Sequence, residues 1–157
     1  MMKRYHEFVL MGLGLIPFIF AAAAALADTN KIFFISDINR LISFYSLAII
    51  SFMSGAVWGI SLIRSLPEKQ LTAFSWQGIK KYFYLSNALT LSAWCGLFFA
   101  PNSKGFFIIS LICFCILLLI DKRFYELNII DKVYFKSRCL ITVGVLACLS
   151  IIIFKSH

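Results

Sequence analysis

The sequence predicts an all-α integral membrane protein, a bundle of five transmembrane helices with short loops and interfacial helices between them. Three observations predict it. Five long apolar runs, at 8–27, 41–63, 82–100, 106–120 and 139–154, divide the 157 residues. A membrane span needs about 20 mostly apolar residues to cross about 30 Å of hydrocarbon. Every charged residue lies between the runs or at their ends. Only 14% of the chain is charged, against about 25% in a soluble domain, and the short loops leave no room for a separate domain outside the membrane. Leu, Ile, Phe and Ala fill the runs continuously. Strands of a membrane barrel would instead alternate over about ten residues. The chain therefore reads as one membrane domain.

The first run follows Lys3 and Arg4 and ends Ala25-Leu26-Ala27 before Asp28, which resembles a signal-peptide cleavage site. It is longer than the usual apolar core of about 7–15 residues in such peptides. Pro17 sits inside it beside Gly12 and Gly14. We read a retained, kinked and packed helix. The connector 28–40 carries Asp28, Thr29, Asn30, Ser36, Asp37 and Asn39, with Ser36 or Asp37 placed to cap the second helix.

The second run holds the densest pattern and is expected at the centre of the bundle. Ser51, Gly55 and Gly59 recur every four residues, which places small residues on one stripe where another helix backbone can approach. Gly55 and Gly59 form a G-x-x-x-G. Ser43, Ser46, Ser54 and Ser61 add hydroxyls that bond to a neighbouring helix or to their own backbone. Tyr45 and Trp58 stand near opposite ends. On the third run Asn87 is the most polar side chain within any span, followed by Thr90 and Trp94. Tyr45, Ser54, Trp58, Asn87 and Trp94 are candidates for a polar seam through the bundle. An interhelical bond from Asn87 is worth about 0.6–2 kcal/mol, enough to fix helix register without any catalysis.

Pro101-Asn102-Ser103-Lys104-Gly105 is so tight a link that the third and fourth spans must be antiparallel neighbours. The two basic loops are longer. In 67–81, Leu71, Phe74 and Gly78 or Ile79 share a helical face beside Trp76. In 121–138, Tyr125, Ile129 and Val133 repeat every four residues. Both read as helices lying in the headgroup plane. No internal repeat, glycosylation sequon or low-complexity tract occurs.

Five cysteines, Cys95, Cys113, Cys115, Cys139 and Cys148, lie inside the apolar runs or at their edge, without a C-x-x-C. They read as packing residues rather than a disulfide framework. The histidines, His6 and His157, are terminal, so a bis-histidine haem within the bilayer is excluded. No catalytic residue, metal ligand set or cofactor site is expected.

The net charge of +8 comes from basic residues that flank membrane segments, which points to anionic lipid rather than nucleic acid. Arg64, Lys80, Lys81, Lys122, Arg123 and Arg138 are the candidate headgroup contacts. Eleven of the fifteen Lys and Arg (Lys3, Arg4, Arg64, Lys69, Lys80, Lys81, Lys122, Arg123, Lys132, Lys136 and Arg138) fall on one side of a five-span chain. Lys31, Arg40, Lys104 and Lys155 fall on the other. The positive-inside rule then sets the N-terminus in the cytoplasm or mitochondrial matrix and the C-terminus opposite.

Several of these stretches resemble one family. Leu13-Gly14-Leu15-Ile16-Pro17-Phe18 looks like its L-G-x-x-P-F motif. Tyr45 and the run Ser51-Phe52-Met53-Ser54-Gly55-Ala56-Val57-Trp58-Gly59 look like its signature. Ala93-Trp94, Asp121-Lys122-Arg123 and Tyr134 to Thr142 also match. The chain resembles the transmembrane protein 69 family of bacterial inner membranes and mitochondria. That resemblance implies five helices and no established activity, so it assigns no functional residue. Ser54 stands where the family usually has another glycine.

The expected function is that of a non-enzymatic accessory or assembly subunit in an inner membrane, partnered by the bilayer, anionic lipids and another membrane protein or a second copy of itself. The alternative is a small transporter or channel component, because Pro17 near Gly14 is placed to break a helix as transporter sites do. Ionisable residues within spans, which mark ion pathways, speak against it by their absence from the runs. A third reading, an interfacial enzyme acting on lipid phosphates, uses the cationic cluster at one membrane face. No histidine or paired carboxylate is placed there as a base.

Overall fold

The computed structural model describes residues 11–29, 37–63, 76–99 and 104–155. Each apolar run lies on a helix: α1 (Ile16–Leu26), α2 (Ile38–Ile63), α3 (Trp76–Phe99), α4 (Lys104–Glu126) and α5 (Lys132–Lys155). Among the described residues three helices, not the expected five, are long and apolar enough to cross a membrane: α2, α4 and α5. Two physical causes separate the others. The apolar helix containing α1 runs from Met11 to Leu26, so at 1.5 Å per residue it reaches about 24 Å. Residues 8–10 of the expected span lie outside the described residues. Helix α3 has the length, at 24 residues, but Tyr82, Tyr84, Ser86, Asn87, Thr90 and Ser92 dilute its apolarity.

The kink expected near Pro17 is a break. At Gly14 and Leu15 the backbone tightens, and their N–H groups donate to Met11 O at 3.2 Å and Gly12 O at 3.0 Å. Pro17 has no N–H and its ring excludes the carbonyl four residues back, so it fits only the first turn of a new helix, where it stands in α1. At the other end Asp28 adopts a left-handed φ of 51°. Asp28 N–H donates to Ala25 O and Thr29 N–H to Ala24 O, which closes the last carbonyls of α1 in a Schellman turn.

Of the two expected caps for α2, Asp37 serves: its Oδ1 accepts from Arg40 N–H at 3.1 Å. Ser36 lies outside the described residues. The inward face of α2 carries Ile42, Ser46, Ile50, Val57 and Ser61, one stripe at helical spacing. On α3 the buried face reads Tyr82, Ser86, Leu89, Ala93 and Gly96. The antiparallel α3–α4 pairing expected from the short link is present. A Cβ built on Gly96 would lie 2.9 Å from Ile109 Cδ1, so glycine sets how closely these helices meet. Link residues 100–103 lie outside the described residues.

No interfacial helix forms over 121–138. Instead α4 continues to Glu126, and a short turn leads straight into α5. Asn128 takes a left-handed φ of 55°, Ile129 N–H donates to Phe124 O, and Asn128 N–H donates to Tyr125 O. Asp131 then starts α5 by accepting Lys132 N–H. Tyr125 and Phe135 stack across the hairpin with centroids 5.0 Å apart. The apolar stripe seen in the sequence closes a helical hairpin rather than a surface helix. Of the 67–81 segment, residues 67–75 lie outside the described residues, and Trp76 to Lys81 open α3.

The centre is shared. Helix α2 packs on α1, α3 and α4, while α4 packs on α2, α3 and α5. Aromatic edges join the layers: Phe18 of α1 meets Tyr45 of α2 at 5.4 Å and Phe114 of α4 at 5.9 Å. Helices α1 and α5 run parallel. Leu15 lies against Gly144 near one end, and Asp28 pairs with Lys155 Nζ at 3.0 Å at the other. Helix α5 packs mainly on α1 and α4 among the described residues, and a groove lies between it and α2.

Candidate functional site

The groove between α2 and α5 is floored by α1 and α4 and contains the most unusual pair in the described chain. Arg138 Nε donates to Asp121 Oδ2 at 3.0 Å. Both side chains are largely buried, at 14% and 10% exposure. Asp121 lies about one turn inside the end of α4, and Arg138 about 9 Å along α5 from its start. The hairpin turn at Asn128 brings the two helices back on each other and lays these residues side by side. Removing both charges from water is costly, and each offsets the cost for the other.

Tyr134 is one turn before Arg138 on the same face of α5. Together with Asp121, Arg138 and the α2 residues Phe52, Ala56 and Ile60 it lines an open cavity of about 400 Å³. Asp131 stands at its rim. A second cavity of about 180 Å³ shares Phe52, Met53 and Arg138 as walls and runs towards Gly14, Phe18 and Val145. The groove is thus polar at the hairpin end and apolar along its length.

Tyr45 of α2 reaches the broken helix that borders the smaller cavity. Its hydroxyl donates to Gly14 O at 3.0 Å. Pro17 and the break before it free that carbonyl from the helix ladder, and the phenol supplies the missing donor.

The sequence-derived candidates distribute unevenly around this site. Pro17 and Tyr45 meet across the broken helix. Ser54 is buried on α2, and its hydroxyl has no partner among the described residues, as is also true of Ser46 and Ser110. Trp58 stacks on Phe83 at 5.4 Å, and Asn87 Nδ2 donates to the Phe83 carbonyl at 3.1 Å. Asn87 is exposed and bonds within its own helix rather than across the bundle. Trp94 is 56% exposed and stacks on Phe98 of its own helix. The five seam candidates therefore do not gather in one place. Ser51 and Gly59 are half-buried and Gly55 is exposed. A Cβ at Gly55 or Gly59 would meet nothing within 4 Å among the described residues, so this stripe faces outward.

Of the cationic candidates, Arg138 faces Asp121 and the groove. Arg123 pairs with Glu126 at 2.7 Å. Lys81 lies over the Tyr82 ring at 5.1 Å, and Lys122 is exposed at the same end. Arg64 and the side chain of Lys80 lie outside what the structure describes. Sequence reasoning noted Asp121 only beside Lys122 and Arg123 and missed its partnership with Arg138. Their opposite charges, each within two turns of the hairpin, were the available signal. It also missed Gly144, whose Cβ would lie 3.0 Å from Leu15 Cδ2.

No curated protein and no solved structure matches the chain. A family profile described as "Protein of unknown function (DUF3429)" matches residues 5–154. With nearly its whole length matched, a membrane-like helical fold and a polar groove bordered by a broken helix, the chain belongs to the DUF3429 family of proteins of unknown function.

Proposed function

We propose that this chain is a five-span protein of a bacterial or mitochondrial inner membrane that acts as a non-enzymatic accessory or assembly subunit. The carrying observation is the outward stripe of α2. Gly55, Ala56 and Gly59 form a shallow track on a long apolar helix, and nothing among the described residues covers either glycine. Small residues at four-residue spacing let a second helix come close enough for backbone packing. The likeness to the transmembrane protein 69 family supports the five-span count and the inner membrane. The excess of basic residues at the hairpin end supports a cytoplasmic or matrix N-terminus, with anionic lipids around Lys81, Lys122 and Arg123.

Photo-crosslinking from position 55 in native membranes tests the reading. One discrete adduct with another membrane protein, lost on Gly59→Leu, is the expected result. An adduct between two copies of this chain would replace the accessory role with self-assembly, and lipid-only adducts would contradict both.

One observation favours transport as the second reading. The break at Gly14 and Leu15 borders the groove, as discontinuous helices border transporter sites. Uptake by proteoliposomes that Tyr45→Phe abolishes would favour it over the accessory role.

A further inference from the structure

The smaller cavity has a feature that neither an accessory role nor helix packing requires. Two donor-bearing side chains of α5, Arg138 and Thr142, line it one turn apart. Arg138 uses Nε for Asp121. A guanidinium has further N–H groups, and no described residue accepts from those of Arg138. Thr142 is only 3% exposed, yet its hydroxyl makes no hydrogen bond among the described residues. Ser137 and Ser150, on the same helix, each donate to the carbonyl four residues back. Thr142 does not, so its donor remains for the occupant of the cavity. Leaving a buried polar group unpaired costs free energy, which a ligand with matching acceptors recovers.

We propose that this cavity binds the ring of a prenylated quinone. Its walls include Phe18, Phe52 and Phe114, one aromatic ring from each of α1, α2 and α4, and such flat apolar surfaces suit a planar ligand. Its volume of about 180 Å³ slightly exceeds the cavity of about 150 Å³ that holds a benzene molecule, so it has room for a substituted six-membered ring. Arg138 and Thr142 are four residues apart on α5, about 6 Å along its axis. The two carbonyls of a para-quinone stand on opposite edges of one ring, a separation of the same order, so each oxygen takes one donor. A quinone ring brings acceptors and no donor, which matches a site that offers a guanidinium and a hydroxyl. The prenyl tail leaves past Phe52, which lines both cavities and is 76% exposed, and along Ala56 in the larger, open cavity. This inference stands apart from the accessory role: the cavity lies between α2 and α5, and the partner track is defined by Gly55 and Gly59.

The test is native mass spectrometry of the full chain in mild detergent, titrated with a benzoquinone carrying a short prenyl tail. A parallel titration uses the same tail on a benzene ring, which lacks both carbonyls. The expected result is one quinone per chain, bound about tenfold more tightly than the prenylbenzene. Thr142→Val keeps the side-chain shape, removes the hydroxyl and lowers quinone affinity about tenfold, while prenylbenzene binding holds. Asp121→Leu combined with Arg138→Met removes the guanidinium without stranding a carboxylate and lowers quinone affinity likewise. No saturable quinone binding by the unaltered chain, or equal affinity for the two probes, would overturn the proposal. Full quinone affinity in either variant would overturn the role given to that donor. The comparison of the two probes on the unaltered chain decides the matter even if a variant fails to fold.

Discussion

The Tyr45 hydroxyl donates to the Gly14 carbonyl across 3.0 Å, and this bond joins a helix break to the helix beside it. The break exists because Pro17 cannot continue the ladder. The bond supplies a donor to a carbonyl that the break leaves without its usual partner.

Tyr45→Phe keeps the ring against Phe18 and removes only that donor. The expected cost is about 1–2 kcal/mol, the range for a bond inside a membrane bundle and an orphaned carbonyl. Thermal unfolding in detergent measures it. Faster amide exchange confined to 11–20 would localise the loss to the break.

Asp121 and Arg138 should behave as a unit. Asp121→Ala strands a buried guanidinium and should lower stability by about 3–5 kcal/mol. Replacing both, with Asp121→Leu and Arg138→Met, should recover most of that loss, because an apolar pair of similar volume carries no desolvation cost. The comparison is a double-mutant cycle read by thermal unfolding or by steady-state level in the membrane. Additive losses would show that the two residues act separately.

Glycines separate into two kinds. Gly144 faces Leu15 at close range, so Gly144→Leu should push α1 away and cost about 1–3 kcal/mol. Gly55→Leu meets open space and should change the stability of the isolated chain by no more than about 0.5 kcal/mol. Its effect should appear in partner crosslinking instead.

The hydroxyls of Ser46 and Ser110 are buried and have no partner among the described residues. Ser46→Ala and Ser110→Ala should each be neutral or stabilising by about 1 kcal/mol, since they remove an unmet polar group and leave a void no larger than one oxygen. A fall in the thermal midpoint for either would reveal a partner for that hydroxyl.

The elements were legible because they rest on local rules. Apolar runs gave the helices, Pro17 marked the break, Asp37 marked a cap, and the short 101–105 link implied the antiparallel pairing of α3 with α4. The site was not legible because it rests on non-local placement. A G-x-x-x-G motif drew notice to Gly55 and Gly59, which face outward, while the close approaches at Gly96 and Gly144 carry no motif. Asn87 was read as a cross-helix donor because its side chain is polar. Helical backbones offer such a side chain a nearer acceptor, and it takes the Phe83 carbonyl. The stripe around Tyr125, Ile129 and Val133 was read as one surface helix. Asn128, which tolerates the left-handed conformation, divides it into the two arms of a hairpin.

The central claim is that α1 and α3 cross the membrane along with the three helices that are both long and apolar enough to span it. Single cysteines placed at Thr29, Thr72, Asn102 and Asn128 in a chain with its five native cysteines replaced test it directly. Labelling uses a membrane-impermeant maleimide on intact cells. The account predicts that positions 29 and 102 label from outside and that positions 72 and 128 label only after permeabilisation. Positions 72 and 102 labelling from the same side would mean that α3 does not cross, and would contradict the five-span topology.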